Sequence, residues 1–167
     1  MRIKTGTFLV AALAFSVSLV AGPSTPAAAQ TGEDLFLAHC SGCHGLEGTG
    51  GVVGRPIRGA RICSMWKAIH SFILGMEHLE ILTPQQLFQI SEYLNSFQIS
   101  GEDRYIATCL GCHGKRGEGG RVARNVQGED TSDIIDAIFD EDAMAYLTCL
   151  SPGDVQQIAG YLDQFDD

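Results

Sequence analysis

The chain has 167 residues, 45% of them hydrophobic and 19% charged, which fits one ordinary domain or two very small ones and does not fit a disordered tail. Twenty acidic side chains against eleven basic ones give a formal charge of −9, which argues against sequence-independent binding to nucleic acid or to an anionic membrane face. Twenty glycines make the chain loop-permissive, so something besides a large core must hold it together.

In chain order, the first segment reads as an address. Arg2 and Lys4 open it, Phe8 to Val20 is almost wholly apolar, Gly22, Pro23 and Pro26 break a helix, and Ala27-Ala28-Ala29 supplies small residues. This is the order of a secretory signal cleaved after Ala29, which excludes residues 1–29 from the mature fold. The rival reading, a retained anchor, requires about 20 apolar residues, more than this run offers. No other segment is apolar enough to span a bilayer. The mature chain then works in an oxidising compartment, the periplasm of a bacterium, where free cysteines tend to pair.

The remainder is written twice. Gly32-Glu-Asp-Leu-Phe-Leu-Ala-His-Cys-Ser-Gly-Cys-His-Gly45 matches Gly101-Glu-Asp-Arg-Tyr-Ile-Ala-Thr-Cys-Leu-Gly-Cys-His-Gly114 at nine of fourteen positions, with an offset of 69. Further on the offset is 68, pairing Met76 with Met144, Leu82 with Leu150, and Tyr93-Leu94 with Tyr161-Leu162. Two long copies read as tandem small domains, 30–100 and 101–167.

Each copy predicts a short helix into the Cys-Gly-Cys-His segment and a Gly-rich loop (45–59 and 114–128). A middle helix near 63–74 and 132–140, a methionine and a last helix follow. Thr83-Pro84-Gln85-Gln86 and Ser151-Pro152-Gly153-Asp154 carry a capping hydroxyl, proline at the first helical position and a polar residue three on. Leu87, Ile90, Leu94 and Phe97, with Val155, Ile158, Leu162 and Phe165, fall on one helical face in each copy. No run alternates with the period of a strand, so the fold class is all-α.

Cys40-Ser-Gly-Cys43-His44 and Cys109-Leu-Gly-Cys112-His113 are both C-x-x-C-H, the attachment site of c-type haem. Two thiols add across the two vinyl groups of one porphyrin, and the adjacent histidine lies under the iron. A thioredoxin-like motif expects a parallel sheet, and zinc expects four ligands grouped in one copy. Neither context is present in the sequence.

On these residues each copy resembles a class I cytochrome c domain, and the pair resembles the small dihaem cytochromes c of bacterial periplasms. The likeness covers 30–167. It implies two covalently bound haem c groups, on Cys40 and Cys43 and on Cys109 and Cys112, with His44 and His113 as axial ligands. It also implies a distal methionine in each copy, and Met76 and Met144 stand at matching positions. Met65, His70 and His78 remain competitors in the first copy. Pro56 matches the position whose carbonyl accepts a hydrogen bond from the axial histidine; the second copy has Asn125 there. Arg55, Arg58 and Arg61 are candidate partners for the propionates of the first haem. Trp66, Ile69, Phe72 and Ile73 are expected to pack as core against the haem face.

Cys63 and Cys149 have no repeat partners, aligning with Ser132 and Ile81. In an oxidising compartment they are candidates for a disulfide between the copies, free buried thiols or pairing to a partner chain being the alternatives. Charge is uneven: residues 30–100 carry six acids and four bases, residues 101–167 fourteen acids and five bases. Asp140-Glu141-Asp142, just before Met144, reads as a solvated face or as a steering patch for a basic redox partner.

The resemblance implies an electron carrier rather than an enzyme, working with redox protein partners such as a dehydrogenase or a terminal oxidase or reductase. An electron-accepting subunit, similar to the cytochrome subunit of flavocytochrome c, stays open. A haem enzyme with a replaceable distal ligand is the third reading.

Overall fold

A computed structural model describes residues 30–71, 75–120 and 122–166; the predicted signal at 1–29 lies outside them. All regular structure among the described residues is helical. The first half holds α1 (Gly32–His39), α2 (Ser41–His44), α3 (Ile62–Ile69) and α4 (Pro84–Asn95). The second repeats them as α5 (Gly101–Thr108), α6 (Leu110–His113), α7 (Thr131–Asp140) and α8 (Pro152–Leu162). Each methionine is followed by a 3-10 turn, Glu77–Ile81 and Ala145–Cys149, which the helical periodicity did not signal.

The helix starts follow from local chemistry. Thr31, Thr83, Ser100 and Ser151 each accept a hydrogen bond from the backbone N–H three residues on, and Asp34, Gln86, Asp103 and Asp154 answer by accepting from the cap's own N–H. Asp130 begins α7 the same way, with Asp133.

The two halves bury the same kind of core. α1 packs on α4 and α5 on α8. Leu35, Phe36, Leu87, Ile90 and Leu94 are buried in the first, and Tyr105, Ile158, Tyr161 and Leu162 in the second. Phe36 meets Tyr93 with ring centroids 5.3 Å apart, and Tyr105 meets Tyr161 at 5.1 Å. The repeated glycines allow this approach: a Cβ on Gly32 would stand 2.1 Å from the Gln89 carbonyl oxygen, and one on Gly101 2.2 Å from that of Gln157.

In α3, Ile62, Met65 and Ile69 share the inward face. Trp66, expected against the haem face, is 46% exposed and stacks on His70 at 3.9 Å. Phe72 and Ile73 lie outside the described residues.

The halves meet along one seam, at which α3 packs against the 3-10 turn after Met144. Cys63 of α3 and Cys149 of that turn form a disulfide. Buried Asp154 takes one arginine from each half: Arg61 donates through Nε (3.0 Å) and Nη2 (2.9 Å), and Arg104 Nη2 lies 3.0 Å away. Arg104 reaches back to the Gly59 carbonyl and the Asn95 side chain, both at 2.7 Å. Ala107 of α5 joins the core cluster of the first half.

Candidate haem sites

A one-turn helix carries each Cys-x-x-Cys-His group. α1 ends at Cys40, whose N–H donates to the Phe36 carbonyl (2.8 Å), and α2 then carries Cys43 and His44. In the second half the Cys109 N–H donates to the Tyr105 carbonyl (2.7 Å), and α6 carries Cys112 and His113. Gly45 and Gly114 follow the histidines at φ 77° and 79°, the left-handed region that favours glycine. They turn the chain into the Gly-rich loop. The loop folds back on the motif: the N–H groups of Gly50 and Gly54 donate to the His44 and Cys43 carbonyls, and Gly119 donates to that of His113.

This return places a carbonyl on each histidine. His44 Nδ1 donates to the Arg55 carbonyl at 2.7 Å, and His113 Nδ1 to that of Arg124 at 3.1 Å. A carbonyl can only accept, so Nδ1 carries the hydrogen and Nε2 keeps the lone pair that a metal takes. The expected acceptor was Pro56, with Asn125 as its counterpart; the observed acceptor stands one residue earlier in both halves. Proline drives the residue before it into extended backbone, which orients the carbonyl of 55 rather than its own. In the second half Asn125 does the stiffening through its side chain, which accepts from the Gln127 N–H at 2.8 Å.

The second half encloses a cavity of about 350 Å³, within the range of small-molecule and cofactor sites. Cys109, Cys112, His113 and Met144 all line it, with Tyr105, Ile134, Leu147, Ile158 and Leu162 as apolar wall. The Thr108 hydroxyl, also on the wall, is buried without a hydrogen-bond partner. Two thiols, an imidazole and a thioether around one apolar space is the donor set of a covalent haem, and the residues fit that group. In the first half Cys40 is buried, His44 is half-buried, and Met76 and Met65 both pack against the core cluster containing Cys40. His78 is exposed, and His70 is taken up by Trp66, whose carbonyl lies 2.9 Å from its Nδ1.

Burial pushes the Cys40 thiol up to about 11 and the Cys109 thiol up to about 12, with the neighbouring Cys43 and Cys112 adding to it. Both stay protonated at neutral pH. This is the opposite of the low-pKa thiolate of a disulfide oxidoreductase.

The three candidate propionate arginines separate. Arg58 pairs with Glu47 and lies over the Phe97 ring at 4.5 Å, and Arg61 serves the seam. Arg55 turns to the second half, where a Cβ on Gly111 would stand 3.2 Å from its guanidinium. Tyr146, on the wall of the second cavity, receives Lys67 of the first half over its ring at 5.6 Å. Arg104 and Tyr146 were not singled out in the sequence. The signal for Arg104 was present, since it replaces Leu35 of the first copy, but its partners are distant in sequence.

Two copies of a helical fold, each presenting two thiols and an imidazole on one turn, define a c-type cytochrome. Residues 27–94 and again 98–162 match the family described as Cytochrome C oxidase, cbb3-type, subunit III, and the chain belongs to that family. No curated protein matches the chain. As a cytochrome c it transfers electrons through covalently bound haem c and works with redox protein partners. No described helix is long and apolar enough to cross a membrane.

Proposed function

We propose that the chain is a dihaem electron carrier of the periplasm. Residues 1–29 are its secretion signal, and 30–100 and 101–167 each close around one haem. Cys40 and Cys43 hold the first group and Cys109 and Cys112 the second. His44 with Met76, and His113 with Met144, are the axial pairs. The gathering of Cys109, Cys112, His113 and Met144 on one apolar cavity carries this reading, and the repeat extends it to the first half. Bound haem would supply one-electron chemistry, and methionine ligation alongside histidine would raise its potential.

The residues do the rest. The thioether links retain the cofactor through every redox cycle. The Arg55 and Arg124 carbonyls orient the imidazoles and raise their basicity as ligands. Met76 and Met144 would supply the second ligand to each iron and so leave no open position for a substrate. The acids around Asp140-Glu141-Asp142 steer a basic partner, in an encounter of the small transient kind. The family's description favours a second reading, a subunit docked on a terminal oxidase; a dehydrogenase subunit is the other complex to look for.

The test is a mass and absorbance measurement on the protein purified from an oxidising compartment. Two haems on a chain beginning at residue 30, with no carbon monoxide complex at neutral pH, is the expected result. One haem, or rapid carbon monoxide binding, defeats the carrier reading. Gel filtration then separates a free shuttle of about 15 kDa from a complex carrying a larger companion.

A further inference from the structure

Arg55 belongs to the first half by sequence and to both halves by position. Its carbonyl accepts the His44 Nδ1–H at 2.7 Å. Its side chain leaves that loop and lies against Gly111, inside the Cys109-Leu-Gly-Cys112-His113 turn of the other half. Among the described residues no carboxylate pairs with it, whereas Arg58, Arg61, Arg104 and Arg124 all have acidic partners. The side chain is half-buried.

A partly desolvated cation without a counter-ion is costly, and it acts on whatever charge changes beside it. The second half carries fourteen acids against five bases, a surrounding that by itself makes adding an electron harder. Arg55 is a point of opposite sign supplied from outside that half, at the turn which holds the cofactor.

We propose that Arg55 is a positioning residue shared by both haem sites: its carbonyl holds the His44 ring of the first, and its guanidinium raises the reduction potential of the second. This rests on the reading that both halves carry haem. One residue then sets the orientation of one ligand and the electrostatics of the neighbouring site, and biases where a single electron rests in the half-reduced protein.

The experiment compares Arg55→Gln and Arg55→Lys in the full chain with its haems attached. Midpoint potentials are followed by absorbance in a redox titration and assigned to each half from the Met76 and Met144 methyl resonances. Both variants keep the backbone carbonyl, so the first site is expected to hold its potential. In Arg55→Gln the second site's potential falls, moving the electron's partition toward the first by about tenfold, the order expected of one unit charge at an effective dielectric near 20. Arg55→Lys retains most of the wild-type value. Equal potentials in wild type and Arg55→Gln, a shift confined to the first site, or equal loss in both variants overturns the proposal. Haem content, measured on the same samples, separates this from the reading beneath it: a chain with one haem defeats the two-haem assignment and leaves no second potential to move.

Discussion

At the scale of single residues the most consequential side chain away from the cavities is Asp154. It is 3% exposed and serves α8 and the seam together, accepting from the Ser151 N–H, from Arg61 and from Arg104. Burial works to raise its carboxyl. The Arg61 hydrogen bond, the two Ser151 hydrogen bonds and the Arg104 charge outweigh this and hold it below the ordinary carboxylate value. A depressed folded pKa contributes stability above the unfolded pKa and loses it as pH falls through the folded one, so this contribution is full at neutral pH and fades below about pH 4. Replacing Asp154 by Ala leaves Arg104 buried without its anion, at an expected cost of about 3–5 kcal/mol. Urea unfolding of the haem-loaded variant at pH 7 and pH 3.5 checks both points: the loss relative to wild type is large at the first and shrinks at the second. An equal loss at both pH values contradicts the ion-pair account.

Among the elements, glycine separates packing from propensity. Gly101 opens α5 where a Cβ meets the Gln157 carbonyl oxygen at 2.2 Å, whereas Gly160 sits in α8 with nothing within 4 Å. Gly101→Ala is therefore expected to destabilise by about 1–3 kcal/mol through forced separation of α5 and α8. Gly160→Ala is expected to stabilise by about 0.5–1 kcal/mol through helix propensity alone. Thermal midpoints moving in the same direction contradict this split. The elements were also the level most legible in advance. Thr83-Pro84 and Ser151-Pro152 announce α4 and α8 because a cap and its box are local chemistry, complete within four residues. The histidine acceptor was misplaced by one residue because the sequence names the stiffening group, Pro56, and not the carbonyl it turns. Arg61 was only a candidate for a propionate, and its actual partner, 93 residues away, lies beyond any local pattern.

For the whole molecule, the seam is held by the Cys63–Cys149 disulfide, by the Arg61–Asp154–Arg104 cluster with the bonds from Arg104 to Gly59 and Asn95, by Lys67 over the Tyr146 ring, and by Arg55 against Gly111. The disulfide closes a separation of 86 residues. Its removal in a Cys63→Ser, Cys149→Ser variant is expected to cost about 2–4 kcal/mol, read by denaturant unfolding in the absence of reductant. Unchanged stability shows that the remaining contacts across the seam fix the halves without it. At five positions where the two copies differ, one member of the pair lies at the seam. Leu35 is answered by Arg104, Arg61 by Asp130, Cys63 by Ser132, Ile81 by Cys149 and Gln86 by Asp154. What began as two similar parts has thereby ceased to be interchangeable. A chain made of the first half joined to itself presents Gln86 and Ile81 where the carboxylate and the second thiol are needed, and so has two haem motifs and no joint between them.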